Sequence, residues 1–437
     1  MHLITPENKF CFFLLFIFCY CFSALAQNHI QVQGKYITGP CGDTLLLRGI
    51  NYAPYNWGWS PNQMRVKELA KTKANCVRLV WYKTGESGTP ASTYSNLTLL
   101  DSALSQCIKN GLIPIVVLHD QTCQNSPTAL INLATWFVQP AVIQIINRYQ
   151  KNLILNIANE ALHVNWTGNP TLARMTFQNT YTTIVNNLRD AGIEVPLMID
   201  GPECGTNLDV LAAVGPLLVA ADPVHNIILS AHAYWYSYAN NDSSQMETKI
   251  NNALLSNMAF VFGEIANLQD DASICQYSLN YKALLRICKR KKIGWLAWSW
   301  DNDGCAARQV SNAGNFSGLT PYGQAIINDL EFGLAKDTVS RSQYLKPGGC
   351  LFTKNDELSE NQELRIFPNP CRGKFSFSGL GNFRKLELIS VLGESIQDVK
   401  VSENGKLHQE ITINSKPGIY WLRGDYKHYF KVINLGN

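Results

Sequence analysis

The sequence predicts an α/β protein, a (β/α)8 (TIM) barrel followed by a small all-β sandwich. Two observations carry the barrel. Eight short runs rich in aliphatic and β-branched residues alternate with longer segments whose apolar residues recur at helical spacing. The eight runs are apolar nearly throughout, as parallel strands covered by helices on both faces are. A third observation sets the sandwich apart. Beyond residue 362 the helical spacing stops, and alternating runs are divided by Gly, Pro and Asn.

Taken in order, the first segment is an expected export signal. Lys9 precedes FCFFLLFIFCYCFSALA, which closes on Ala24-Leu25-Ala26, the small-x-small pattern at which a signal peptidase cuts. Its apolar part is short against the roughly 20 residues of a spanning helix. Residues 1–26 are therefore expected to be removed, leaving an exported, soluble chain. Of 13 cysteines, Cys11, Cys19 and Cys21 would leave with the signal, and the remaining ten suit an oxidising compartment. Their pairing is not legible. No paired C-x-x-C spacing announces a structural zinc site.

Residues 27–335 form the expected barrel domain. Its strand runs are TLLLRGINY (44–52), NCVRLVWY (75–82), LIPIVVLH (112–119), NLILNIANE (152–160), VPLMID (195–200), NIILSAHAY (226–234), AFVFGEI (259–265) and IGWLAWSW (293–300). Between them lie helical segments such as LTLLDSALSQCIKNG and TFQNTYTTIVNNLRDAG, each closing on Gly. An open doubly wound sheet is the alternative, but no G-x-G-x-x-G follows the first run. Residues 336–362 are polar and irregular, an expected linker or loosely held extension, and residues 363–437 are the expected sandwich.

Composition narrows the function. Charged residues make up 16% of the chain, against roughly 25% in soluble domains, which speaks against a disordered or nucleic-acid-binding protein. Residues 363–437 hold eleven Lys plus Arg against seven Asp plus Glu, a surplus equal to the whole chain's +4. The barrel is thus near neutral, and a polyanion such as nucleic acid is not its expected substrate.

A barrel of this kind builds its site at the C-terminal ends of its strands. The run LILNIANEAL (153–162) shows the signal: a core strand finishes on Asn159 and Glu160, groups that cost several kcal/mol if left dry and unpaired. The second strand brings Arg78 to the same rim, the third His119, the sixth His232 and Tyr234, the seventh Glu264, and the eighth Trp298 and Trp300. Two carboxyls from different strands suit glycoside hydrolysis, one donating a proton to the leaving oxygen while the other attacks the anomeric carbon. Arg78 suits the task of holding the attacking carboxylate ionised and in place. Asn159 suits the sugar 2-hydroxyl, Tyr234 the nucleophile, His232 the sugar and Trp298 a pyranose face. Each residue alone has a plainer role: a rim charge, a structural ion pair, a core histidine, or packing in the case of Trp300. The joint pattern is what points to chemistry.

These residues resemble glycoside hydrolase family 5, the retaining cellulase and mannanase family. The matching motifs are Arg78 in CVRLVW, His119 in VVLHD, NE in NIANE, HAY at 232–234, FGE ending on Glu264, and WSW at 298–300. The resemblance covers residues 30–335. It implies Glu160 as acid/base, Glu264 as nucleophile, and Arg78, His119, Asn159, His232, Tyr234 and Trp298 around the scissile sugar. It further implies net retention, no metal and no cofactor. HDQT, GWLAWSW and LTPYGQAIIND resemble the bacterial mannan-cleaving branch, so a β-mannan is the favoured substrate over a β-glucan. Ala161 and Cys123 depart from the family pattern, which usually has Pro after the acid and often Gly in the mannanase loop. Trp57, Trp59, Trp166 and Trp235 are candidate sugar platforms or packing residues.

The tail resembles the sorting domain read by the type IX secretion machinery, through FPNP at 367–370, VLGE at 391–394, KPGIYWLR at 416–423 and the final KVINL. That implies outer-membrane export, often with loss of the tail. A carbohydrate-binding module is the alternative. The expectation is a secreted monomer whose partners are polysaccharide and the export machinery. Rival readings are a cellulase, xyloglucanase or transglycosylase with the same carboxylates, a barrel that binds polysaccharide without cutting it, and a metal hydrolase using His119, Asp120 and His232.

Overall fold

The computed structural model describes residues 29–55, 64–84, 96–234, 241–271, 274–336, 341–346 and 349–350, and, in the tail, 365–367, 369, 371–380, 386–390, 395–399, 406–413, 416–424 and 428–435. The expected signal at 1–26, Trp57, Trp59, Trp235, VLGE and most of the expected linker lie outside these residues. The chain divides into two compact units, residues 1–350 and 351–437.

Eight parallel strands close the barrel of the first unit. They are β1 (Arg48–Tyr52), β2 (Cys76–Trp81), β3 (Ile113–Leu118), β4 (Ile154–Asn156), β5 (Leu197–Asp200), β6 (Ile227–Ala233), β7 (Phe260–Ile265) and β8 (Gly294–Ala297). Each falls inside one of the eight predicted runs. The first run is split. Thr44–Leu45 pairs antiparallel with Tyr36–Thr38 in a three-stranded sheet, and only Arg48–Tyr52 enters the barrel. The fourth run keeps regular pairing only over β4, and four residues further on Glu160 takes a left-handed backbone (φ 51°).

Side-chain alternation along each strand explains how one barrel can be both core and bowl. Side chains two residues apart share a face. The inward residues near the strand starts, among them Cys76, Ile115, Ile154, Met198, Ile228, Val261 and Leu296, form one apolar cluster with Ile30, Ile37, Leu45 and Leu47. That cluster plugs the N-terminal end. Two residues further along the same strands the inward positions turn polar, with Arg78 after Cys76, Asn156 after Ile154, Asp200 after Met198, and Ser230 then His232 after Ile228.

Strand β7 needs a correction to reach that face. Its register against β6 shifts between Phe262 and Glu264, so Gly263 is an extra residue and Glu264 pairs with His232. Without this bulge Glu264 would fall on the outward face. Gly263 leaves little room for a side chain: a Cβ there would lie 2.3 Å from Ser230 Oγ and 3.0 Å from His232 Nε2.

The helices follow the predicted spacing. In Leu97–Lys109 the buried residues are Leu100, Ala103, Leu104 and Cys107, and the Asn96 side chain caps the first turn through Thr98 N–H. Asn169 caps Pro170–Asp190 in the same way. The first part of the polar stretch after 335 belongs to the barrel unit. Gln343 N–H donates to Asp43 Oδ2 at 3.0 Å, and a disulfide joins Cys41 to Cys350. Two further disulfides, Cys123–Cys204 and Cys275–Cys305, leave Cys76, Cys107, Cys288 and Cys371 as buried thiols.

The second unit holds two antiparallel sheets, one of three strands (Arg365–Phe367, Lys374–Leu380, Lys406–Thr412) and one of four (Ser395–Val399, Leu386–Ser390, Gly418–Gly424, His428–Asn434). Phe375 and Ile411 from the first, and Leu388, Leu422 and Val432 from the second, are buried.

Candidate active site

The polar layer converges on one guanidinium. Arg78, fully buried on β2, donates from Nη1 to Glu264 Oε1 (2.7 Å) and Asn51 Oδ1 (3.0 Å), and from Nε to Asn156 Oδ1 (2.7 Å). Its Nη2 donates to Asn159 Oδ1 (2.8 Å) and Asp200 Oδ2 (3.1 Å). Five acceptors around one planar cation fix its orientation in a way a lysine cannot. Tyr234 Oη donates to Glu264 Oε2 at 2.8 Å, so both oxygens of Glu264 are held. Burial raises the Tyr234 phenol well above its usual range, and the Glu264 charge adds to this, so the hydroxyl stays protonated as a donor.

Glu160 follows β4 and is 7% exposed. His232 Nδ1 lies 2.7 Å from its Oε1 and 3.6 Å from Glu264 Oε1. One ligand atom each from Glu160, His232 and Glu264 fall within 4.8 Å of one another, which brings an oxygen of each carboxyl to that separation. Burial is the main force on Glu160 and pushes its carboxyl up to about 7; the His232 contact opposes this, while Glu264 and Asp200 add to it. For His232 burial pulls the other way, yet Glu264 and Asp200 outweigh it and raise the imidazole to about 10. A cationic His232 donating to a Glu160 that carries its own proton is consistent with both shifts. Asp200, buried but paired with His232 and Arg78, is held below the usual carboxylate range.

The remaining expected residues divide. His119 is buried against Trp298 and Tyr82, with ring centroids 6.1 and 5.8 Å away. Burial, then Arg78, hold it well below its usual pKa, so it is neutral, and its Nε2 has no hydrogen-bond partner among the described residues. Asn159 Nδ2 donates to Thr122 Oγ1 at 3.1 Å. Trp298 is half-buried, and its Nε1 donates to Asp303 Oδ2, whose other oxygen accepts from Arg308 Nη2 at 2.8 Å. His232 is 0% exposed and contacts the Glu160 carboxyl at 2.7 Å. Trp300 is also 0% exposed and part of the apolar core, its backbone N–H donating to the Asn51 carbonyl at 2.8 Å, in keeping with the packing alternative. Trp166 is 60% exposed beside His163.

The rival metal set of His119, Asp120 and His232 is not assembled. Asp120 accepts from the N–H groups of Lys83 and Thr84, at 2.8 and 2.9 Å, and caps that loop. Glu160, His232 and Glu264 have the spacing to hold a cation, but Glu264 Oε1 already faces the Arg78 charge.

Asn51, Asn156 and Asp200 are site residues that the strand-end rule should have found, because each is polar on an inward position of its strand. Asn51 lies on the first run, Asp200 on the fifth, and Asn156 on the fourth, three residues before Asn159. Glu203 had no signal. It lies beyond β5 and accepts from Val164 and Asn165 N–H across a loop that sequence spacing does not reveal.

Comparison with known proteins adds independent findings. A family model described as "Cellulase (glycosyl hydrolase family 5)" matches residues 40–304, and one described as "Secretion system C-terminal sorting domain" matches residues 365–432. A mannan endo-1,4-beta-mannosidase of Salipaludibacillus agaradhaerens is 23% identical over 299 residues, spanning 68% of this chain and 90% of its own. The enzyme of the same description from Cellvibrio japonicus (strain Ueda107) is 26% identical over 319 residues, spanning 70% and 67%. The crystal structure of a beta-mannanase from Streptomyces thermolilacinus superposes with a TM-score of 0.60 at 21% identity, covering 73% of this chain and 100% of that one. At that identity the structural likeness speaks for the fold.

Proposed function

The chain belongs to glycosyl hydrolase family 5, and from that premise we propose that it is a retaining endo-glycosidase of β-1,4-linked polysaccharide, with β-mannan as its substrate. It is a glycoside hydrolase, and it carries a type IX secretion sorting domain. The mannan preference rests on the two mannosidases it resembles and on the motifs HDQT and GWLAWSW.

One observation carries the mechanism: an oxygen of Glu160 and an oxygen of Glu264 lie within 4.8 Å. Retaining glycosidases hold their carboxyls about 5–5.5 Å apart, and inverting ones about 6.5–9.5 Å, to admit a water. In the first step a Glu264 oxygen bonds to the anomeric carbon while the glycosidic oxygen leaves with the Glu160 proton. Esterified Glu264 no longer carries the charge that helps raise Glu160, so Glu160 becomes the base that takes a proton from the incoming water. The water oxygen bonds to the anomeric carbon as its bond to Glu264 breaks and the carboxylate is restored, so the carbon is inverted twice. Arg78 and Tyr234 hold Glu264 in line, and the neutral His119, with its open Nε2, is placed to meet a sugar hydroxyl.

The test is reducing-end release from mannan, cellulose and xyloglucan in parallel, with the anomer of the first product followed by NMR. Release of β-anomer from mannan is the expected result. Silence on every mannan beside turnover of a β-glucan would replace the substrate, and an α-anomer would replace the mechanism. Glu160→Gln and Glu264→Ala should each lower the rate on polymer by 10²-fold or more; unchanged behaviour would mean a barrel that only binds. We further infer that residues 1–26 are removed during export, a point that N-terminal sequencing of the secreted protein decides.

A further inference from the structure

The loop carrying Glu160 is enclosed by a disulfide that joins its two neighbours. Cys123, beyond β3, is bonded to Cys204, beyond β5. The three loops are laced together. Cys123 N–H donates to the Glu160 carbonyl (3.1 Å), Leu162 N–H to the Gln124 carbonyl (2.8 Å), and Glu203 N–H to the Leu162 carbonyl (3.2 Å). The buried Glu203 carboxylate takes Asn165 N–H at 2.8 Å and Asn207 Nδ2 at 2.6 Å. Cys123, Glu160, Leu162, Glu203 and Cys204 all hold left-handed backbone, with φ of 52°, 51°, 71°, 54° and 51°. Non-glycine residues disfavour this region and stay in it only where their surroundings over-determine them. At the centre, Cys123 Sγ lies 3.5 Å from Glu160 Oε2. A disulfide sulfur has no proton, so it covers that oxygen without donating to it, while Oε1 is taken by His232.

We propose that the Cys123–Cys204 disulfide is a positioning element for the general acid, fixing the backbone turn of Glu160 and keeping water from its Oε2. This deepens the reading of Glu160 as the acid and rests on it. The groups that face this carboxyl are His232 on β6, Glu264 on β7, Asp200 on β5 and Tyr234 after β6, with Arg78 on β2 behind Glu264. None of them is supplied by the disulfide. Loss of the disulfide therefore leaves the charges in place and changes only the position and wetting of the acid.

The double variant Cys123→Ser/Cys204→Ser, folded as judged by its thermal transition, is assayed on polysaccharide and on a dinitrophenyl glycoside of the released disaccharide. The dinitrophenyl leaving group departs without a proton. Expected is a fall of about tenfold or more in kcat/KM on polysaccharide, with less than about twofold on the dinitrophenyl glycoside and a shifted alkaline limb of the pH profile. Equal losses on both substrates, or no loss on either, overturn the proposal. Should the variant not fold, wild-type enzyme reduced with a phosphine, its thiols counted, is measured in the same way and judged by the same criteria. Cys41→Ser/Cys350→Ser is the control for removing a disulfide elsewhere and should treat the two substrates alike. Glu160→Gln separates the layers. If it keeps the polysaccharide rate, the acid assignment fails; if it loses the rate while the double serine variant is indiscriminate, the disulfide proposal alone fails.

Discussion

Glu160 and Glu264 are the same residue type a few ångströms apart, and their partners set their roles. Glu264 has both oxygens engaged by Arg78 and Tyr234, as a poised nucleophile requires. Glu160 is raised to about 7, first by burial. In the proposed mechanism its protonated form acts in the first step, so the alkaline limb of kcat/KM should fall tenfold per unit above about pH 7. A pH profile checks this, and the limb should vanish in Glu160→Gln. Arg78 predicts a second outcome. Arg78→Ala removes the guanidinium from the buried Glu264 and Asp200 carboxylates and leaves them to share His232, a loss of about 3–5 kcal/mol, measurable as a lower denaturant midpoint. Arg78→Lys should fold better than the alanine variant and still lose activity, because a point charge cannot serve five acceptors.

At the level of elements, strand period and one bulge decide which side chains enter the polar layer inside the barrel. Alternation brings Arg78, Asn156 and Asp200 inward without any special device. Glu264 needs the extra residue Gly263. Gly263→Ala would drive a methyl into Ser230 Oγ, at 2.3 Å before relaxation, with an overpacking cost of roughly 1–3 kcal/mol and a loss of kcat from the displaced nucleophile. Adding Ser230→Gly makes room and should recover part of both. If the double variant is no better than the single, the contact is not the cause.

For the whole molecule, the chain separates catalysis from address. The barrel unit ends at Cys350, bonded to Cys41 across 309 residues of sequence. Breaking this link by Cys41→Ser/Cys350→Ser should lower stability by about 2–4 kcal/mol and leave kcat unchanged, as unfolding and initial-rate measurements would show. The sorting domain has a different job. A chain ending at Cys350 should keep its specific activity and remain inside the cells, whereas equal activity in the medium with and without residues 351–437 would deny the tail its role in export.

The sequence by itself determined the barrel, its eight strands and the pair of carboxylates. Apolar runs with polar ends are a local pattern, written in consecutive residues, and strand-end chemistry follows from it. The tertiary structure decided what depends on residues distant in the chain. Trp300 and Trp298 are two positions apart, yet one is walled into the core and the other lies beside His119, and nothing in WSW distinguishes them. His232 lies 2.7 Å from Glu160 because β4 and β6 flank β5 on either side. The pairing of Cys123 with Cys204 depends on two loops converging over a third. Closing the barrel brings these groups together, and closure is a property of all eight strands at once rather than of any one of them.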